Sequence, residues 1–139
     1  MTQKEITLNG QQVEMIYCAA TENGFETISG KSIEVFVPTF GEDADGNTII
    51  TEPAKCTMGD FVMLAVAAII AAYTRRKEKV PVTDEYILYD ATPEERNALI
   101  TTIVELRREW YKVPDVVNDT LKKEAEKGDN KKTEKRKNA

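Results

Sequence analysis

The sequence predicts an α+β, mainly helical fold in which an N-terminal β-hairpin packs on a bundle of four to five helices. Three observations predict it: an Asn-Gly pair between two short segments near the N-terminus, a long apolar run in mid-chain, and a Thr-Pro-Glu-Glu signal before an amphipathic stretch. The 139 residues have the length of one domain. We expect residues 1–124 to form this domain. Residues 125–139 are charged and lack the apolar side chains that would offset their ordering entropy, so we expect them to be disordered.

The first hairpin is predicted by Asn9-Gly10, because both positions of a type I′ turn need a positive φ. In the strand that follows, apolar side chains alternate, so one face of that strand can be buried. These positions are Val13, Met15 and Tyr17. A short helix is expected next, ending at Gly30 as a left-handed cap.

The segment 33–51 has two interpretations. It holds two β-branched stretches, IEVFV and NTIIT, around an acidic, glycine-containing loop, and this pattern favours a second hairpin. A helical start after Gly30 is the alternative, and the sequence leaves the choice open.

Two capping boxes predict the main helices. Thr57 with Asp60 precedes the apolar run 61–73, and Thr92 with Pro93 and Glu95 opens a second helix. The second helix carries an apolar stripe at spacings of four, three and four residues. The stripe consists of Leu99, Ile103, Leu106 and Trp110. Short helical segments are also expected at 83–89 and 114–124.

Several kinds of site are disfavoured. The chain has no histidine, which removes serine and cysteine triads and most zinc sites, so we predict that it is not an enzyme and holds no metal or cofactor. A carboxylate enzyme would need buried acids in a cleft. The acidic loop 42–47 does not fit a calcium-binding EF-hand, because Thr48 and Ala54 stand where Gly and Glu are required.

Charge and length bear on nucleic-acid and membrane binding. Residues 1–121 carry a net charge of −9 and residues 122–139 a net charge of +4. An acidic body lacks the clustered basic surface that phosphate binding needs, so we expect no nucleic-acid partner. The apolar run 61–73 would rise only about 20 Å as a helix, less than the roughly 30 Å of a bilayer core, so we expect a buried helix and no membrane span. Cys18 and Cys56 show no disulfide pattern, and the polar N-terminus shows no secretory signal, so a cytoplasmic location is expected.

The candidate partner-binding residues lie on the two helices. The first helix is apolar nearly all round and rich in alanine, which is typical of a core helix or of a subunit interface, and core is the commoner outcome. The aromatic pair at the end of the second helix is likewise typical of core packing or of a binding hot spot. The candidates are Phe61, Leu64, Ile69, Tyr73, Trp110 and Tyr111.

The N-terminal third resembles a known family. The run YCAATENGFETISGKSI, after the ITLNGQQVEM hairpin, is similar to the opening of the tail assembly chaperones of long-tailed bacteriophages. The matching features are the alanine-led helix start at Ala19 and Ala20, the aromatic Phe25, and the turn Ser29 to Ser32. The stretch 35–50 departs from the family pattern.

The resemblance implies an assembly function in the cytoplasm of a bacterial host. Such chaperones bind the tape measure protein, keep it soluble, recruit tail-tube subunits and are absent from the finished tail. The family often makes a longer product by frameshifting, which protein sequence cannot establish. Self-association through the Ala-rich helix is a further expectation. The alternative is a structural head–tail or tail-completion protein that stays in the virion.

Overall fold

The computed structural model describes residues 2–112. Within this range the elements are β1 (Thr2–Leu8), β2 (Gln11–Tyr17), α1 (Ala19–Ser29), β3 (Thr39–Glu42), β4 (Thr48–Glu52), α2 (Met58–Arg76) and α3 (Pro93–Tyr111). A 3₁₀ turn spans Ile33–Phe36 and a π-helical turn spans Tyr86–Asp90. The mainly helical α+β class and the N-terminal hairpin are confirmed. The described helices are three α-helices and two single turns, and the helix expected at 114–124 and the tail 125–139 lie outside the described residues.

The N-terminal hairpin forms as its turn chemistry predicts. β1 and β2 are antiparallel and in register from Thr2–Tyr17 to Leu8–Gln11. Asn9 and Gly10 have φ values of 52° and 75°, the left-handed pair that a two-residue turn requires.

Both faces of β2 are buried, whereas the sequence predicted one. Tyr17 meets Trp110 of α3 at a ring-centroid distance of 6.2 Å. Glu14, on the opposite face, meets α2: its backbone N–H donates to the Tyr73 hydroxyl at 3.1 Å, and its carboxylate pairs with Arg76. Because side chains alternate along a strand, the hairpin must lie between these two helices.

The predicted helix boundaries are set by caps. Thr57 with Asp60 and Thr92 with Glu95 form reciprocal capping boxes at the starts of α2 and α3. α1 ends at Gly30, whose φ of 74° is left-handed. These three signals therefore position the helices as the sequence predicted.

One hydrophobic core joins β1, β2 and the three α-helices. α2 lies at its centre and packs on α1, β2 and α3. Gly24 of α1 faces Ala67 of α2 so closely that a Cβ at position 24 would stand 3.3 Å from the Ala67 Cβ. The small residues of α2 thus allow a close helix–helix contact inside the domain.

The segment 33–51 contains a second hairpin and a helical turn. Ile33–Phe36, expected as strand in the hairpin interpretation, forms the 3₁₀ turn, and the Ser32 side chain caps it by accepting from the Glu34 N–H at 3.1 Å. The first strand, β3, starts only at Thr39 and pairs antiparallel with β4. Phe36 is held in the core by aromatic contacts with Phe25 and Phe61, each at 5.0 Å between ring centroids. Core packing of this phenylalanine explains why the stretch is not a continuous strand.

Candidate partner-binding surfaces

Four of the predicted partner-binding residues lie on α2, and the structure places three of them inside the domain. Leu64 is fully buried, Ile69 is 1% exposed and Tyr73 is 5% exposed. Phe61 is half-buried against Phe36. The three buried side chains offer no surface to a partner in this fold, because α1, β2 and α3 already cover α2. Among residues 2–112, α2 is the one helix that is long and apolar enough to cross a membrane, by length and composition alone. Within its most apolar 18-residue stretch, 61% of the residues are buried inside the domain.

The other two predicted residues lie at the C-terminal end of α3, where they pack against the first hairpin. Trp110 is half-buried beside Tyr17. Tyr111 is 44% exposed, and its ring centroid lies 6.4 Å from that of Tyr17. Of the six candidates, Phe61, Trp110 and Tyr111 therefore retain some surface, and a partner-binding role for the set stays a prediction.

A polar cluster ties the end of α3 to α1. The hydroxyl groups of Tyr17 and Tyr111 both donate to the Glu22 carboxylate, the first at 2.9 Å. Burial and then the Glu22 carboxylate raise the pKa of Tyr111 to about 12, and the same causes raise the pKa of Tyr17 further. The raised pKa values keep both hydroxyls protonated well above neutral pH, so they remain hydrogen-bond donors to Glu22.

Arg107 lies beside this cluster. Its guanidinium carbon is 5.0 Å from the centroid of the Tyr111 ring and 5.5 Å from that of Phe36, and its buried Nε has no hydrogen-bond partner among the described residues. The side chain thus contributes cation–π contacts between the end of α3 and the 3₁₀ turn.

The two buried carboxylates have structural partners. Glu14 pairs with Arg76. Asp60 caps α2 and accepts from Lys31 Nζ at 2.9 Å. Burial would raise the pKa of Asp60, but the hydrogen bonds from Lys31 and the Thr57 N–H outweigh it and hold that pKa below its usual range. Each acid is therefore held in an ion pair within the domain, and the lowered pKa of Asp60 is the opposite of the raised pKa that a general acid needs.

The thiols and possible metal ligands give no reactive centre in the part of the chain that the structure describes. Cys18 and Cys56 are free and half-buried. Burial raises the pKa of the Cys56 thiol, which lowers the thiolate fraction at neutral pH. Between residues 2 and 112 no three acidic or cysteine side chains are grouped to hold a metal ion.

One exposed apolar surface is the second hairpin, which we call the acidic hairpin and define as residues 39–52. Every residue from 42 to 52 is exposed, and so are Thr39 and Phe40. Three of its apolar side chains are about half exposed: Phe40 at 45%, Ile49 at 41% and Ile50 at 51%. Phe40 pairs directly with Ile50 across the strands. The exposed apolar strands make the acidic hairpin a candidate interaction surface.

The loop of the acidic hairpin is organised by one carboxylate. Asp43 Oδ1 accepts from the N–H groups of Asp45 and Asn47, each at 2.9 Å. Gly46 follows with a left-handed φ of 82°. These hydrogen bonds, led by the one from Asn47, lower the pKa of Asp43. Asp43 lies in the acidic loop 42–47, which does not fit a calcium-binding EF-hand. Its carboxylate instead accepts the hydrogen bonds that form the turn.

A second apolar surface lies beside α2. Val66, Ile69 and Ile70 form one wall of a groove of about 330 Å³, and residues 80–87 form the other. Leu88 and Tyr89 stand next to it, 45% and 80% exposed. This groove includes charges of both signs, from Lys79 and Asp84.

The sequence predictions did not identify either of these exposed apolar surfaces. They assign Ile49 and Ile50 to a strand and Phe40 to no element, and the exposure of all three follows from the failure of the acidic hairpin to pack on the core. The signal that could have identified them is the location of these apolar residues within a stretch whose only charges are acidic. No family model, no curated protein and no solved structure matches this chain.

Proposed function

We propose that this chain is a non-catalytic assembly chaperone of phage tails, which binds the tape measure protein, keeps it soluble and recruits tail-tube subunits. The observation that carries the proposal is the acidic hairpin, where Phe40, Ile49 and Ile50 are exposed on strands that the core does not cover. A chaperone needs apolar surface that is available before its client binds. The family proposal itself rests on the resemblance of residues 17–33.

The chemistry of the domain supports binding in preference to catalysis. Its buried acids Glu14 and Asp60 are ion-paired, and burial raises the pKa values of its clustered tyrosines, Tyr17 and Tyr111. These arrangements hold elements together and leave the exposed apolar side chains as the features available to a partner. The proposal places this activity in the bacterial cytoplasm, where tails are assembled.

The test is co-expression with the tape measure protein of the same phage or prophage genome. We expect the soluble fraction of the tape measure protein to rise several-fold with the wild-type chain. The double variant F40S/I50S should remove this effect, because it makes the exposed cross-strand pair polar. The matched control is L88S/Y89S, which makes two other exposed apolar residues, 45% and 80% exposed, polar elsewhere on the surface.

Two results would contradict the proposal. One is an equally insoluble tape measure protein with and without this chain. The other is stoichiometric presence of the chain in purified virions, measured by mass spectrometry, which would favour a structural head–tail or tail-completion protein.

A further inference from the structure

The acidic hairpin is an incomplete sheet. It has two strands, and every residue in them is exposed except Gly41, which is half-buried. Two-stranded hairpins are marginal in water, and a third strand or a packed face is usually needed for stability. Among residues 2–112, each strand also has one edge that pairs with no further strand, since β3 and β4 form a sheet of their own.

β4 is the better of the two free edges for an added strand. It consists of five residues, TIITE, which are mostly β-branched and include neither proline nor glycine. The register shift between Thr39 and Phe40 leaves Thr51 as an extra residue on β4, so the regular part of this strand is Thr48–Ile50. β3 contains Gly41, where a Cβ would stand 2.7 Å from a methyl carbon of Thr51. The regular, exposed part of β4 can pair with an extended segment through the backbone.

The charge of the acidic hairpin selects among such segments. Residues 39–52 include four acids and no Lys or Arg, giving a net charge of −4. The acids are Glu42, Asp43, Asp45 and Glu52. Two copies of this hairpin laid edge to edge would bring like charges together, which disfavours self-pairing. A basic segment would instead be attracted to it.

We propose that the free edge of β4 binds an extended segment of a partner protein in which apolar side chains alternate with Lys or Arg. This proposal rests on the proposed function, because it states the chemistry of the client segment that the acidic hairpin recognises. The alternation matters: in an added strand, successive side chains point to opposite faces. Apolar side chains would continue the face that carries Phe40, Glu42 and Ile50, and the basic ones would lie on the opposite face, near Glu52.

The experiment uses the full chain and three labelled heptapeptides, followed by fluorescence anisotropy. One peptide alternates lysine with valine, the second alternates glutamate with valine, and the third is the Lys/Val peptide with a central proline. We expect saturable binding of the first peptide only, because the second has the wrong charge and the third cannot complete a strand. Amide exchange at residues 48–52 should slow in the complex, as backbone pairing requires.

Charge-reversal variants distinguish binding of the peptide at the acidic hairpin from general electrostatic attraction to the acidic domain. E42K/E52K should weaken binding of the Lys/Val peptide at least about tenfold, which corresponds to two weak surface ion pairs. The control E5K/E105K changes two exposed acids outside the acidic hairpin, so it alters the net charge equally and should leave binding nearly unchanged. F40S/I50S should also weaken binding, and its thermal midpoint shows whether the core is intact.

The proposal is overturned if the Glu/Val peptide binds as well as the Lys/Val peptide, or if E5K/E105K weakens binding as much as E42K/E52K. It is also overturned if amides 48–52 exchange at the same rate in the complex. Dimerisation of the chain that F40S/I50S abolishes would assign the surface to a second copy instead. If the tape measure protein is solubilised through the acidic hairpin but the Lys/Val peptide does not bind, the proposed function stands and this inference fails.

Discussion

Glu22 is the residue of α1 that connects β2 to the end of α3. Its carboxylate accepts from Tyr17 at the end of β2 and from Tyr111 at the end of α3. Two consecutive elements, β2 and α1, therefore meet the distant α3 at one acid. The arrangement gives these tyrosines a titration behaviour that exposed tyrosines do not have.

We predict that the free energy of unfolding falls as pH rises from about 10 to about 12. An unfolded tyrosine ionises near pH 10, whereas burial and Glu22 raise the pKa of Tyr111 to about 12 and raise that of Tyr17 as well. In that window the unfolded chain has lost protons that the folded chain keeps, so the unfolded state is favoured as pH rises. Phenolate absorbance against pH measures the tyrosine pKa values, and denaturant unfolding at each pH measures the free energy of unfolding.

Glu22→Gln is the variant that tests the cause. It keeps a hydrogen-bond acceptor and removes the charge, so the pKa of Tyr111 should fall towards 10, although burial still holds it somewhat high. Glu105→Gln, on an exposed part of α3, is the control and should leave the titration unchanged. Titration of both tyrosines near pH 10 in the wild-type chain would refute this account.

Asp43 has a comparable local role in the acidic hairpin. Asp43→Ala should speed amide exchange at Asp45 and Asn47, because both N–H groups lose their acceptor. The pKa of Asp43 is lowered in the folded loop, so its contribution is present above the unfolded pKa of about 4 and is lost as pH falls through the lower folded value. Asp45→Ala is the matched control, with little change expected, and equal effects from the two variants would contradict the assignment.

At the scale of elements, the contact between α1 and α2 depends on the absence of a side chain. Gly24 is a poor helix former, and the sequence gives no local reason for it. Its position facing the Ala67 Cβ provides the reason, since the two helices approach closely at this point.

Gly24→Val should destabilise the domain by about 1–3 kcal/mol, because a branched side chain would overfill the contact with α2. Denaturant unfolding followed by Trp110 fluorescence measures the change. Asn23→Val puts the same side chain on the exposed face of α1 and should cost well under half as much. Similar losses in the two variants would mean that helix propensity, and not the close contact, explains the effect.

At the scale of the whole molecule, the described chain divides into a packed core and a hairpin outside it. Replacing residues 40–51 with a short Gly-Ser turn should change the free energy of unfolding by less than about 0.5 kcal/mol, because residues 42–51 are all exposed. The same replacement should abolish client binding. Leu99→Ala, at a fully buried position, should cost about 2–5 kcal/mol and serves as the comparison. A large loss of stability on replacement would show that the acidic hairpin supports the core.

Local signals predicted much of the fold. The Asn9-Gly10 turn, the Gly30 cap and the two capping boxes each depend on residues within a few positions of one another. The α3 stripe from Leu99 to Leu106 is buried as its spacing predicts. Such signals are available in sequence because the groups that interact are neighbours along the chain.

Glu95 shows where local signals stop. Sequence predicts its role in the capping box of α3, but the same carboxylate also accepts from the Asn9 N–H at 2.8 Å and from the Tyr86 hydroxyl at 2.7 Å. These partners come from the first hairpin and from the π-helical turn. No spacing rule connects them, because they meet only after the elements have packed.

The sequence by itself determined the α+β class, the turns and caps, and the amphipathic face of α3. Only the tertiary structure decided that Leu64, Ile69 and Tyr73 are enclosed and that Phe40 and Ile50 are exposed. The physical reason is that a turn or a cap is a local energy minimum, whereas burial depends on which distant surfaces meet. Apolar side chains of similar character thus became core on α2 and exposed surface on the acidic hairpin.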